Sequence, residues 1–254
     1  MSNINLKHTI FFFSSKSTKF SGTVYRGARL VPSTGGTGWP RRTGRVKHQR
    51  YTLKVKVKNM PRTVRQLTDQ GYYHIISRGN NAMPLFAIVN GFAMFKSILL
   101  ESKKKFDWTL HHYCLMPNHV HLLIRIEKGE YLPKLMHWIL LGYSRWFHQK
   151  TAYTGYLWQG RYKSPLVAKE SYRLECGRYI ERNPVRANLV PVPQDYPWSS
   201  YRHYALGEKD PLIDEDPYYL DFGIDRLERQ KKYIEFVSLR GPYDEIVDRS
   251  LVGN

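Results

Sequence analysis

Two β-prone runs, residues 108–115 and His119–Ile126, are separated only by Met116-Pro117-Asn118. Three residues can reverse a chain but cannot carry it over a sheet, so the second run pairs antiparallel with the first. Any fold open to this chain contains that hairpin. Before it, residues 72–77 read as another strand and residues 78–81 as a turn-rich loop. Residues 90–104 carry Phe92, Phe95, Ile98, Leu99 and Ser102 at helical spacing. After it, Leu132, Leu135, Met136, Ile139, Leu140, Tyr143, Trp146 and Phe147 make a wide apolar helix stripe. Residues 155–160 read as a loop and residues 164–168 as a fourth strand. Residues 171–182 read as a helix that stops at Asn183, where Pro184 disfavours the helical conformation. Residues 198–204 are aromatic and helix-like, and a last helix is expected around residues 224–236. The order β-α-β-β-α-β-α predicts an α+β fold, a ferredoxin-like antiparallel sheet with helices packed on it.

Charge divides the same chain differently. Its 254 residues suffice for one good core with a tail or small second unit. No Asp or Glu precedes Asp69, whereas residues 1–68 hold 15 Lys and Arg. Residues 1–59 are rich in Ser, Thr, Gly and basic residues with weak apolar periodicity. They read as a basic, disordered extension with at most a loose strand over residues 51–57. Residues 207–254 hold 12 acidic and 7 basic residues and read as an acidic helical tail. Of the net +19, residues 69–206 keep +9, so the domain expected over residues 60–206 is basic in its own right. A polyanion, most often nucleic acid, is the ordinary partner of such a surface. No apolar run approaches the ~20 residues that span a bilayer, and residues 10–13 are too short for a secretory signal. A soluble cytoplasmic protein is expected. Cys114 and Cys176 form neither a C-x-x-C pair nor a disulfide framework.

Two small groups of residues can carry chemistry. In the strand His119-Val120-His121 the two imidazoles point to one face and Val120 to the core. Two neutral imidazoles at that spacing can share a cation, leaving coordination positions for a third protein ligand and for substrate oxygens. Solvent-facing histidines on a strand would look the same. Tyr179 and Asn183 are four residues apart, hence on one helical face. A phenol can attack a phosphodiester, and an amide oxygen is a hard ligand suited to Mg²⁺ or Mn²⁺. A buried Tyr and an Asn that stops a helix before Pro184 fit the spacing equally.

Four motifs in order change that balance. They are Cys114-Leu115-Met116-Pro117-Asn118-His119-Val120-His121-Leu122-Leu123, Leu157-Trp158-Gln159-Gly160-Arg161-Tyr162-Lys163-Ser164, Arg178-Tyr179-Ile180-Glu181-Arg182-Asn183-Pro184-Val185-Arg186-Ala187 and Tyr196-Pro197-Trp198-Ser199-Ser200-Tyr201. With Gly71-Tyr72-Tyr73-His74 and Ser77-Arg78-Gly79-Asn80-Asn81, they resemble the REP-associated tyrosine transposases, IS200/IS605 relatives in the HUH single-strand nuclease group. The resemblance runs from about Met60 to Tyr204. It implies a Y1 transposase-like fold with His119, His121 and Asn183 holding Mg²⁺ or Mn²⁺. It implies that Tyr179 attacks single-stranded or hairpin DNA, leaving a 5′-phosphotyrosine and a free 3′-OH. Arg161, Lys163, Arg178, Arg182 and Arg186 are candidate phosphate contacts, and Trp158 and Tyr162 candidate stacking residues, with core packing the stronger expectation for Trp158. The segment 86–91 departs from the acidic loop usual in relatives, which bears on a helix start rather than on chemistry. Residues 1–59 have no counterpart in the family pattern. Met60-Pro61-Arg62 resembles the usual start, and a chain beginning there is expected to fold and cut.

The resemblance leaves monomer and homodimer both open. Two other functions share these residues: a domesticated single-stranded nucleic-acid-binding protein that no longer cuts, and a metal-dependent phosphodiesterase that uses water with Tyr179 structural. The first has no need of all four of His119, His121, Tyr179 and Asn183.

Overall fold

In the computed structural model, which describes residues 67–239, the hairpin forms between β2 (Trp108–Met116) and β3 (His119–Ile126). β3 is the centre of the sheet. It pairs antiparallel with β2 on one side and with β1 (Gly71–Arg78) on the other, giving the order β1-β3-β2. The readings of residues 1–59, the loose strand at 51–57 included, lie outside the described residues.

Strand alternation divides side chains between two layers. Tyr73 and Ile75 of β1 and Val120, Leu122 and Ile124 of β3 are fully buried in one cluster with Phe95, Leu135, Ile139 and Tyr143. Those last four belong to helices α1 (Gly91–Lys103) and α2 (Leu132–Lys150), which cover this face. α2 buries Leu132, Leu135, Met136, Ile139, Tyr143 and Phe147, the stripe read from the sequence. At about 1.5–3 kcal/mol per fully buried large side chain, that stripe is what holds the helix down. α1 starts at Gly91, one residue after Asn90 in the left-handed region (φ 62°). A Cβ at Gly91 would sit 3.1 Å from the Phe86 backbone and from the Tyr143 hydroxyl, a close approach that a larger residue could keep only if these neighbours gave by a few tenths of an ångström.

The opposite face takes His74, His112, Cys114, His119, His121 and Leu123. It is covered by α3 (Ser171–Arg186). A bulge at His111 shifts the β2 register between Leu110 and His112. Leu110 and then Tyr113 and Leu115 therefore face the α1–α2 side, although strict alternation would place 110 and 113 oppositely.

Two expectations fail in detail. Residues 164–168 do not make a regular fourth strand. Residues 158–167 instead follow the outer edge of β1 through isolated bridges at Gly79–Trp158, Ile76–Lys163 and Tyr73–Leu166. Pro165 brings no N–H to such a ladder, although its carbonyl accepts from His74 N at 3.1 Å. The helix over residues 171–182 does not stop at Asn183 but runs through Pro184 to Arg186. Pro184 cannot donate to Ile180 O. The Asn183 side-chain amide donates to it instead at 3.2 Å, and to Tyr179 O at 2.9 Å. The acceptor that proline strands is satisfied one residue earlier, which removes much of the cost of proline inside a helix.

Residues 207–239 pack onto the domain rather than trailing from it. Helices α4 (Tyr201–Leu206) and α5 (Arg226–Ser238) share a core of Tyr204, Tyr219, Tyr233 and Val237. Asp214 N donates to Leu110 O and Asp214 Oδ2 accepts from Leu110 N, both along the outer edge of β2. Trp198 O and Ser200 bond Leu115 and Tyr113 further along it. Both outer edges of the sheet are thus covered by irregular chain, which blunts the pairing hazard of an open edge.

Candidate active site

β3 and α3 bring the predicted chemistry together. His119 and His121 project from one face of β3, their ring centroids 4.8 Å apart. α3 crosses that face with Tyr179 pointing inward, its ring edge-on to His121 at 5.9 Å. A third imidazole joins them. His74 of β1 lies edge-on to Tyr179 at 5.8 Å, and its Nε2 is 2.9 Å from His121 Nδ1. The sequence placed His74 in a motif but gave it no role.

Burial fixes the charge of these rings. It lowers His74 to about 3. It lowers His119 to about 4, aided by the Arg78 guanidinium. His121 falls well below the ordinary imidazole range through burial, with His74, His119 and Arg186 adding to it. All three rings are neutral at pH 7, the form that ligates metals. The His119 tautomer follows from its neighbour. Its Nδ1 lies 2.6 Å from Asn118 Oδ1, which can only accept, so Nδ1 carries the proton and Nε2 keeps the lone pair. Asn118 Nδ2 points to Ala82 O at 3.4 Å, consistent with that amide orientation.

Asn183 sits one turn beyond Tyr179, and its amide nitrogen faces the helix backbone. Its carbonyl oxygen is the end directed away. Two neutral imidazoles and one amide oxygen are three uncharged donors, a set that suits Mn²⁺ and takes Mg²⁺ only with further oxygens from water or substrate. No group of three or more His, Cys, Asp and Glu among the described residues is placed to hold a metal ion.

The basic candidates separate. Arg186 is exposed and lies over the Tyr179 ring at 4.7 Å. Arg161 is exposed and Lys163 half-buried on the segment beside β1. Arg78, quoted in a motif of the sequence but given no role there, is exposed opposite His119 in the β1–β3 register. Arg178 and Arg182 face elsewhere. Arg178 is 4% exposed, pairs with Glu175 and stacks on Phe236 at 4.5 Å. Arg182 donates to the carbonyls of Val237, Ser238 and Leu239, capping the C-terminus of α5. Arg178, one residue from Tyr179, lies on another side of the helix, and Arg182, three residues away, has its guanidinium bonded to the end of α5. Trp158 donates from its indole to Leu140 O at 2.9 Å and packs against the core, the stronger of the two expectations for it.

Behind Tyr179, α3 is tied down by a buried ionic knot. Gly177 lets the helix approach β2 so closely that a Cβ there would fall 2.7 Å from the His112 ring. Glu181, fully buried, accepts from His112 Nδ1 at 3.0 Å, from Ser200 Oγ at 2.5 Å and from Tyr233 Oη at 2.8 Å. Asp216 lies 3.8 Å from His112 Nε2, an ion pair too long for a hydrogen bond. Burial alone would lower His112, but Asp216 and Glu181 outweigh it and push the imidazole up to about 9. It is a cation at pH 7, held between two carboxylates from α3 and from the segment before α5.

The fold agrees with what the chain is similar to. Residues 68–183 match the family described as transposase, IS200-like. The chain is also similar to REP-associated tyrosine transposases. A Haemophilus influenzae protein assigned as one is 27% identical over 126 residues, which is 42% of this chain and 71% of that protein. The solved structure of a REP-associated tyrosine transposase bound to a REP hairpin superposes with a TM-score of 0.52 at 16% identity, covering 62% of this chain and 93% of the other. At that identity the match speaks for the shared fold. No helix among the described residues is long and apolar enough to cross a membrane.

Proposed function

We propose that this protein cuts and rejoins single-stranded DNA, acting on hairpin-forming repeats, with Tyr179 as nucleophile. The observation that carries this reading is the convergence of Tyr179 with His121 and its partner His119 on one face of the sheet within a single chain. The resemblance to transposases supports the substrate class.

The chain's own residues have distinct tasks. Tyr179 Oη attacks the scissile phosphorus, forming an O–P bond as the bond to the 3′ oxygen breaks. The phenol loses a proton and the departing oxygen gains one, leaving a 5′-phosphotyrosine and a 3′-OH. Reversal by another 3′-OH rejoins the strand without further energy. His119, His121 and Asn183 would hold Mg²⁺ or Mn²⁺, which when bound supplies Lewis-acid polarisation of the phosphate. Arg186 covers the Tyr179 ring from the solvent side, so an incoming phosphate that draws this guanidinium to itself also uncovers the phenol. Arg161, Lys163 and Arg78 flank the approach and are suited to hold backbone phosphates in register.

The direct test is incubation of the protein with single strands from the DNA flanking its own gene, with Mg²⁺ or Mn²⁺, resolved on a denaturing gel. A protein-linked 5′ product is expected. A free 5′-phosphate with no adduct would point to hydrolysis by water, and binding without scission to a protein that no longer cuts. His119→Ala and His121→Ala should each abolish cutting yet leave most DNA affinity, because phosphate contacts dominate binding. Undiminished cutting in excess chelator would remove the metal from this reading.

A further inference from the structure

His74 is fully buried on β1, diagonal to His121 on the same face of the sheet. Its Nε2 and His121 Nδ1 are 2.9 Å apart, and one of them must donate. The two possibilities differ in chemistry. If His74 donates, the His121 proton sits on Nε2 and blocks the nitrogen that remains to it. If His121 donates, its Nε2 keeps a lone pair. The neighbouring ring has already settled the equivalent choice: Asn118 forces the His119 proton onto Nδ1 and leaves Nε2 as its basic atom. Only donation from His121 gives the two β3 histidines matching basic nitrogens.

We propose that His74 is a positioning residue for this pair: its Nε2 accepts from His121 Nδ1–H, locking His121 in the tautomer and ring orientation that offer Nε2 to a divalent cation. Asn118 does the same for His119 from the turn. The pair on β3 is thereby preset by a side chain on each flank, one from β1 and one from the hairpin turn. The inference rests on reading His119 and His121 as metal ligands. Outer partners of this kind orient ligating imidazoles and raise their basicity, and their loss typically costs about 10–100-fold in metal affinity.

Two measurements on the full chain test it. In metal-free protein with nitrogen-15 histidine, long-range proton–nitrogen spectra should place the proton of both His119 and His121 on Nδ1. A proton on His121 Nε2 overturns the proposal, and this measurement needs no variant to fold. Calorimetric titration with Mn²⁺ should then show His74→Phe binding about 10–100-fold more weakly than the unmodified chain. His74→Gln, whose amide oxygen can accept from His121 Nδ1–H, should recover most of that loss. A purely structural role would not make a polar replacement better than an aromatic one of similar size. Equal Mn²⁺ affinity in His74→Phe and the unmodified chain overturns the proposal, as does the absence of Mn²⁺ binding in the unmodified chain. Loss of Mn²⁺ affinity in His74→Phe, alongside a parent protein that never forms a DNA adduct, would leave this inference standing and sink the transposase reading.

Discussion

Tyr179→Phe is expected to abolish strand cleavage and the covalent DNA adduct, lowering cutting by several orders of magnitude, as loss of a sole nucleophile does. DNA binding should stay close to that of the unmodified chain, since the phenyl ring keeps the edge-on contacts to His74 and His121 and lies under Arg186 as before. The fold should hold too, because only one oxygen leaves a side chain that is 2% exposed. A gel and a filter-binding assay on one preparation separate the three functions that these residues allow. Persistent cutting without an adduct would assign the chemistry to water. Unchanged binding in a parent that never cut would assign the protein to the binders.

The second large effect concerns stability. Glu181→Ala should destabilise the domain by about 3–5 kcal/mol, the usual cost of stranding one partner of a buried ion pair. The denaturation midpoint should fall by about 6–20 °C for a domain of this size. His112 would be left a buried cation with Asp216 at 3.8 Å as its remaining counter-charge, Tyr233 would lose its acceptor, and Ser200 Oγ would keep only Tyr113 O at 3.3 Å. The pH dependence has a definite sign. His112 is raised from 6.5 to about 9 in the folded state. Its contribution is full below pH 6.5 and is lost as pH rises through about 9. The gap between the parent and Glu181→Gln in chemical denaturation should therefore be wider at pH 6 than at pH 10. A gap that is flat or widens with pH would mean that His112 is neutral when folded.

The hairpin, the α2 stripe and the placing of His119 and His121 on one face of β3 were legible because each depends on a local period that the sequence displays. What was not legible depends on partners far along the chain. His74 became part of the site only through the β1–β3 register, which no local pattern sets. The Glu181–His112–Asp216 knot joins residues separated by up to 104 positions. The need for Gly177 within α3, the His112 ring against it, lies on β2. Pro184 was read by its general rule, and the rule was overridden by one side chain, Asn183, that bonds the stranded carbonyl. The bulge at His111 broke the alternation from which a strand face would be read. Arg178 and Arg182 were read by charge and proximity to Tyr179. Their guanidiniums are instead committed to α5, an element the sequence assigned to a separate tail.

The covered edges of the sheet restrict how copies of this protein can associate. From Tyr72 to Asn80 the backbone of β1 and the turn after it is bonded by residues 157–167, and β2 is bonded from Leu110 to Leu115 by residues 196–214. A second copy could lengthen the sheet only by peeling one of these flanking segments away. At about 0.5–1.5 kcal/mol for each of several hydrogen bonds, before any loss of buried surface, strand exchange is a costly route to a dimer. An assembly that keeps this domain intact is built from helix or loop faces, with each copy carrying its own Tyr179 over its own histidines.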